Sequence, residues 1–148
     1  MFDKALNYVL SYPKTERQVR QWLQQKGANA DEIRDITQKL KDYGYINDEG
    51  YARLFVEQQQ SKQGRGAILT KMYQKGLARE IIEANTAEID EAIQRDLAVG
   101  LAQKWMQGRP NSEWRKLFGY LMRKGFDIEM VRDVVSRYKH GGDYEDWD

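Results

Sequence analysis

The chain has 148 residues, no cysteine and a formal net charge of only +1. Without cysteine it can hold no disulfide framework, no thiolate zinc site and no cysteine nucleophile, and its near-neutrality argues against a generic nucleic-acid binder, for which a pI above about 9 is typical. No apolar run approaches the roughly 20 residues of a membrane span, and the first dozen residues lack the layout of a signal peptide, so we expect a cytoplasmic protein.

The chain opens with a predicted apolar helix over residues 5–10. This helix stops before Pro13, because the residue preceding a proline is disfavoured in the α conformation. Thr15 and Gln18 then form the pattern of a capping box, which predicts the start of a second helix. Gly27 ends that helix, since glycine readily adopts the left-handed conformation found after helix C-termini.

A third helix and a second set of helices follow. Asn29, with Glu32 three residues later, is predicted to cap the third helix. The next helix is predicted to start near Asn47. Gly64 and Gly66 interrupt the helical pattern, so we expect a break there before another helix begins.

The last set of helices starts inside a long stretch of helical pattern, where we place a boundary at residues 88–90. Gly108 ends the helix beyond this boundary. Asn111 or Ser112 is predicted to cap the next helix, and Asp127 the last one. No alternating β-branched run competes with the helical pattern anywhere in the chain, so the predicted fold class is all-α.

These helices belong to one pattern that occurs three times. Lys-Gly pairs recur at a step of 49 residues, as Lys26-Gly27, Lys75-Gly76 and Lys124-Gly125. Apolar residues recur at fixed offsets from the glycines, namely Val19, Ile68 and Leu117; Leu23, Met72 and Leu121; and Ile33, Ile82 and Val131. Offsets of four and eight residues lie on one helix face, and a period of this length is typical of helical repeat proteins.

The sequence therefore predicts three tandem three-helix repeats, each helix-turn-helix-like, stacked into an elongated, curved array. The predicted boundaries are 1–45 for repeat 1, 46–89 for repeat 2 and 90–140 for repeat 3. Residues 141–148 form an acidic tail that we expect to be disordered. A repeat of this size buries too little apolar surface to be stable alone, so we expect neighbouring repeats to support each other.

Positive charge is concentrated around the middle helix of each predicted repeat. The tail contains four acidic residues and no basic one, so residues 1–140 carry 24 basic against 19 acidic residues, a net charge of +5. A basic stripe can contact phosphates or acidic protein surfaces, and an acidic tail can shield it. The candidate partner-binding or nucleic-acid-binding residues are Arg17, Arg20, Lys62, Arg65, Lys71, Lys75, Arg115, Lys116, Arg123 and Lys124. Trp114 and Trp147 lie off the repeated apolar stripes and are further candidates for a partner surface.

Residues 42–77 carry a resemblance to a known family. They read DYGYINDEGYARLFVEQQQSKQGRGAILTKMYQKGL, which resembles the central signature of the RecX family, regulators of the bacterial RecA recombinase. The matching positions are Gly44, Tyr45, Ile46, Asn47, Asp48, Tyr51, Ala52, Phe55, Gly64, Gly66, Ile68, Lys75, Gly76 and Leu77. The segments SYPKTERQVRQWLQQKG and FGYLMRKGFDIEMVRDVV are similar to the opening and closing segments of that family.

The resemblance implies a protein without enzymatic activity or cofactor, expected to be a monomer. It implies binding to the RecA–single-stranded DNA filament and inhibition of recombinase and coprotease activity, hence a role in DNA repair and the SOS response. The family usually has basic residues where this chain has the run from Glu57 to Gln60. Any direct contact with DNA is therefore expected to be weak and independent of sequence.

Two other classes of function fit the residues less well. A tandem helix-turn-helix DNA-binding protein without a recombinase partner fits the outline of the repeats, but Glu80 and Glu83 would repel phosphate at the start of a recognition helix. An enzyme is disfavoured, because the single histidine, His140, lies beside the tail and no phosphate loop, nucleophile elbow or metal-ligand spacing occurs.

Overall fold

The computed structural model describes residues 1–139, and every regular element in that range is helical. The helices are α1 (Phe2–Ser11), α2 (Glu16–Gln25), α3 (Ala30–Asp42), α4 (Asp48–Gln59), α5 (Arg65–Gln74), α6 (Arg79–Thr86), α7 (Glu91–Met106), α8 (Trp114–Arg123) and α9 (Ile128–Lys139), with a 3₁₀ turn over Asn111–Glu113. The all-α prediction is confirmed. His140, Trp147 and the predicted acidic tail at 141–148 lie outside the described residues.

The three-helix repeats are also confirmed, as α1–α3, α4–α6 and α7–α9. The six residues expected at equivalent core positions are all fully buried: Val19, Ile68, Leu117, Leu23, Met72 and Leu121. The residues six positions after each turn glycine are less uniform, because Ile82 and Val131 are fully buried while Ile33 is only half-buried. The three turn glycines, Gly27, Gly76 and Gly125, have φ angles of 88°, 80° and 93°, in the region that favours glycine.

Contacts between residues divide the chain into two compact units. Unit 1 comprises Met1–Phe55 and Lys71–Asn85, and unit 2 comprises Val56–Thr70 and the described residues from Thr86 onward. The chain crosses from one unit to the other inside α4 and again inside α5. Repeat 2 therefore contributes residues to both units, while the division at 1–45, 46–89 and 90–140 stays a prediction.

Each unit has a core made by a complete helix triplet. In unit 1, α1, α2 and α3 bury Ala5, Val9, Val19, Leu23, Ile36 and Leu40, with Ile46 beyond them. In unit 2, α7, α8 and α9 bury Ala98, Ala102, Met106, Leu117, Leu121, Phe126, Met130, Val131, Val134 and Val135. Aromatic pairs extend both cores: Tyr8 stacks on Trp22 with ring centroids 4.6 Å apart, and Trp105 stacks on Tyr120 at 5.7 Å.

The first two predicted capping boxes are present. The Thr15 hydroxyl accepts a hydrogen bond from the Gln18 N–H at 3.3 Å, and the Gln18 side chain accepts from the Thr15 N–H at 2.9 Å. Asn29 and Glu32 make the same reciprocal pair at 2.9 and 3.1 Å. The predicted break between two helices at residues 88–90 is confirmed as well, because α6 ends at Thr86 and α7 begins at Glu91.

The predicted start of α8 is wrong. Neither Asn111 nor Ser112 caps this helix, because both belong to the 3₁₀ turn. Pro110 has an extended backbone, and its carbonyl accepts a hydrogen bond from the Glu113 N–H at 3.0 Å, which closes that turn. The α-helix therefore begins only at Trp114, and no side chain caps it.

Within residues 1–139 no helix combines the length and apolar character required to cross a membrane.

Candidate functional site

The N-terminus of α2 meets the turn that follows α5, and we call this contact the first junction. The Thr15 hydroxyl donates a hydrogen bond of 2.7 Å to the carbonyl of Lys75. One residue on, the Glu16 N–H donates to the Asp48 carboxylate at 3.0 Å. The start of a middle helix is thus held by a turn carbonyl and by an acceptor side chain from the first helix of the next repeat.

The N-terminus of α5 meets the turn that follows α8 at the equivalent position of the repeat, and we call this contact the second junction. Its donor is a backbone N–H where the first junction uses the Thr15 hydroxyl. The Gly64 N–H donates a hydrogen bond of 2.8 Å to the carbonyl of Lys124. The Arg65 N–H donates to the Gln94 side-chain oxygen, also at 2.8 Å. The partners in the first of these bonds lie 49 residues after their counterparts in the first junction, so the junction is part of the repeat.

Glycine makes the second junction close. The Gly66 N–H donates to the Gly125 carbonyl at 2.8 Å. A Cβ at Gly64 would lie only 2.2 Å from the Gly125 carbonyl carbon, and one at Gly125 would lie 2.3 Å from the Ala67 nitrogen. The predicted break in the helical pattern at residues 64–66 is therefore the place where the backbone packs against the turn after α8.

The acceptor side chains in the junctions were not predicted as site residues, although Asp48 is one of the positions that resemble the family signature. Asp48 and Gln94 each lie four residues before an alanine that is fully buried, Ala52 and Ala98. Burial raises the pKa of Asp48, against the opposing effect of the hydrogen bond that it accepts from Glu16. The sequence feature that these two acceptors share is a polar residue one helical turn before a buried alanine. This pattern is too common in helices to predict a junction.

Cations surround the first junction. Lys14 precedes it, Arg17 lies with its aliphatic carbons against the turn glycine, and the Lys75 ammonium lies 5.7 and 5.4 Å from the ring centroids of Tyr51 and Phe55. Partial burial and the nearby Lys75 charge lower the pKa of Lys14. None of these three cations has a carboxylate within salt-bridge distance in the described part of the chain. Lys14 is not among the ten predicted site residues.

Cations also surround the second junction. Lys62 and Arg65 lie within two residues of Gly64, and Arg123 and Lys124 precede the turn glycine. Across residues 1–139 none of the four is paired with a carboxylate. Lys62, Arg65 and Arg123 are exposed, whereas Lys124 is half-buried. These positive charges are therefore free to meet a negatively charged partner.

Four predicted site residues lie outside the two junctions or are already engaged. Arg20 pairs with Glu16 at 3.3 Å, and Lys116 pairs with Glu113 at 3.7 Å. Arg115 lies over the ring of Trp114 at 4.5 Å. Lys71 is exposed on α5, one turn before the first junction. Trp114 itself is half-buried against the core of unit 2.

A further group of ionisable residues lies around Glu16 in unit 1. Its carboxylate contacts Lys41 at 2.8 Å as well as Arg20, and the Lys41 hydrogen bond lowers the pKa of Glu16. Within residues 1–139 no three acidic or histidine side chains converge to hold a metal ion. The arrangement around the junctions provides positive charge and aromatic surface for binding.

Comparison with known proteins gives matches over most of the chain. Residues 47–84 match the family model for the second three-helix domain of RecX, and residues 94–135 match that for the third. The chain is 34% identical over 140 residues to the regulatory protein RecX of Clostridium botulinum (strain Eklund 17B / Type B), which covers 90% of this chain and 66% of that relative. It is 30% identical over 141 residues to that of Clostridium perfringens (strain 13 / Type A), with 91% and 66% covered. The chain thus spans about two thirds of the length of these curated relatives.

Solved structures show the same fold. The crystal structure of RecX from Lactobacillus salivarius superposes with a TM-score of 0.82 at 24% sequence identity, over 94% of both chains. A second crystal structure, of a regulatory protein RecX, gives a TM-score of 0.79 at 23% identity, over 91% of this chain and 69% of that one.

Proposed function

This chain belongs to the RecX family of regulatory proteins, and we propose that it binds the RecA–single-stranded DNA filament and inhibits recombinase and coprotease activity. It would thereby regulate DNA repair and the SOS response, as a monomeric cytoplasmic protein without a cofactor. The unpaired cations of the two junctions would be its principal contacts with the filament.

The observation that carries this proposal is the recurrence of the junction. Two consecutive repeats place unpaired cations around hydrogen bonds to equivalent turn carbonyls, those of Lys75 and Lys124, 49 residues apart in the sequence. A filament presents one epitope many times, and several weak contacts made by one protein give higher avidity than any single contact. A repeated basic surface suits such a partner, because complementary charge speeds association and fixes register.

The test is to follow ATP hydrolysis by RecA on single-stranded DNA with increasing amounts of this protein. The wild-type protein is expected to inhibit. A variant with Lys62→Glu, Arg65→Glu and Arg123→Glu is expected to lose most of the inhibition while remaining folded, because exposed charges contribute at most about 0.5 kcal/mol each to stability.

The matched control reverses three exposed cations away from the junctions, Lys4, Lys104 and Arg132. It changes the net charge by the same amount, so it should inhibit like the wild type if the junctions are the contact. Circular dichroism verifies the fold of both variants. No inhibition by the wild type at severalfold molar excess would overturn the proposed function, and equal inhibition by both variants would overturn the assignment of the second junction.

A sequence-specific reader of duplex DNA is the alternative function, and the helices that follow the turns argue against it. In a helix-turn-helix protein the first residues of the recognition helix contact the major groove. Here the first turns of α3, α6 and α9 each contain an acidic residue, including Glu32, Glu80 and Glu129. A tight, sequence-selective complex with duplex DNA would nevertheless favour this alternative over the filament.

A further inference from the structure

Unit 1 has an open groove on the surface beside the first junction. It has a volume of about 380 Å³, and its walls include Lys14 before α2, Tyr45 in the turn after α3, and Tyr51, Arg53 and Leu54 on α4. Among the described residues that line it, none is acidic. Two cations and two aromatic rings therefore share one surface with no negative charge among them.

Tyr45 is the most accessible ring of this groove. It is 44% exposed, although a tyrosine could bury its ring to gain stability. Its N–H donates a hydrogen bond of 2.8 Å to the Leu40 carbonyl, and its ring lies 6.4 Å from that of Tyr43. The preceding Gly44 has a φ of +80°, which gives the turn a defined shape. The backbone of Tyr45 is therefore fixed by the turn, while nearly half of the residue's surface is accessible to a ligand.

The two cations lie on the same groove. The Lys14 ammonium donates to the Tyr12 carbonyl at 3.1 Å and lies 4.6 Å from the Tyr12 ring centroid, so its position is defined. Arg53 is exposed, and no carboxylate in residues 1–139 pairs with it. Both can therefore meet negative charges on a ligand that enters the groove.

We propose that this groove binds single-stranded nucleic acid without sequence preference, with a base stacked on Tyr45 and the neighbouring phosphates at Lys14 and Arg53. Single-strand binding surfaces combine stacking platforms with positive charge in this way. An acidic peptide would use the cations but not the exposed ring face. This inference rests on the proposed function, because it assigns a site on this chain to the direct contact with single-stranded DNA. The binding itself can be measured without the recombinase.

The experiment measures binding of a fluorescent oligothymidylate to this protein alone by fluorescence anisotropy. Tyr45→Leu is expected to weaken binding about tenfold, which lies within the range that stacking of one base on an aromatic side chain contributes. Tyr45→Phe should retain wild-type affinity because it keeps the ring. Lys14→Gln together with Arg53→Gln should weaken binding and make it less dependent on salt.

Tyr73→Leu is the matched control, because Tyr73 is 45% exposed and does not line the groove. It should leave affinity unchanged, and circular dichroism should show every variant folded. A strand of the same length without bases should bind more weakly than oligothymidylate. Equal affinity for the two strands, or unchanged binding by Tyr45→Leu, would overturn the proposal.

Displacement of the oligonucleotide by polyglutamate at equal charge concentration would also overturn it, in favour of an acidic peptide. The filament assay with the junction variants is separate from these measurements. If the groove variants bind oligonucleotide normally while the junction variants lose inhibition, the groove proposal fails and the proposed function stands.

Discussion

The lysine before each turn glycine contacts an aromatic ring in addition to carrying a positive charge. The Lys26 ammonium lies 5.7 Å from the ring centroid of Trp22, and Lys124 lies at the same distance from Tyr120, each four residues back along its own helix. Lys75 instead contacts rings of α4. Cation–π contacts of this kind contribute about 0.5–1 kcal/mol at exposed sites, so reversing these lysines would disturb the fold together with the partner surface.

Glu16 gives a residue-scale prediction about pH. Its two ion pairs lower its pKa on folding, so its carboxylate stabilises the protein above the unfolded pKa, 4.5, and this contribution is lost as pH falls through the lower folded pKa. Glu16→Gln is expected to lower the free energy of unfolding at neutral pH by about 1 kcal/mol. The difference from the wild type should shrink towards zero in acid. Urea denaturation between about pH 3 and pH 7 measures both.

Asp31→Asn is the control for this effect. The Asp31 carboxylate is also ion-paired, with Arg34, but the side chain is 80% exposed against 28% for Glu16. The control should change stability by no more than about 0.5 kcal/mol. A Glu16→Gln deficit that persists undiminished at low pH would show that the ion pairs are not its cause.

Most helix boundaries could be predicted at the scale of elements, because their signals are local. Capping boxes and turn glycines act within four residues, so Thr15, Asn29 and Gly27 mark real helix ends. The start of α8 could not be predicted, since the carbonyl of Pro110 closes a 3₁₀ turn where a side-chain cap was expected. Asn and Ser favour both arrangements, and only the backbone decides between them.

The candidate site was predicted in composition but not in arrangement. The basic character of the middle helices is visible in the sequence, and eight of the ten predicted residues are exposed. Their grouping around two junctions depends on backbone carbonyls about 60 residues away, as in the bond from Thr15 to Lys75. Every residue has such a carbonyl, so no residue type marks the one that is used.

The turn glycines give a prediction at the element scale. Gly27 and Gly125 both have positive φ angles, so alanine at either should cost about 1–2 kcal/mol of backbone strain. At Gly27 an added Cβ meets nothing within 4 Å, whereas at Gly125 it collides with the Ala67 backbone. Gly125→Ala should therefore destabilise by about 1–3 kcal/mol more than Gly27→Ala. Denaturant unfolding of the two variants measures the difference, and equal losses would mean that the second junction yields without cost.

At the scale of the whole molecule, the small net charge conceals an uneven distribution. The predicted tail carries four of the 23 acidic residues in eight positions, and the chain before it has a net charge of +5. Long-range attraction to a polyanionic filament depends on this balance and weakens as salt screens it. We therefore expect the tail and the junctions to have opposite effects on association with such a filament.

Removal of residues 141–148 is expected to preserve or strengthen inhibition of recombinase ATP hydrolysis, because four negative charges are lost. Any gain should be larger at low ionic strength, where charges interact over longer distances. The half-inhibitory concentration at two salt concentrations measures this. A tail of unchanged length with Asn and Gln in place of its acids should behave like the deletion, and loss of inhibition in either variant would refute a shielding role.

Two hydrogen bonds of the second junction join main-chain atoms on both sides, from the N–H groups of Gly64 and Gly66 to the carbonyls of Lys124 and Gly125. At these two contacts the requirement is the absence of a Cβ, and no matched pair of side chains is needed. A mutation elsewhere on α5 or α8 can change surface charge without a compensating mutation across the contact. The exposed charges of both helices can therefore be changed one at a time while this backbone contact is kept.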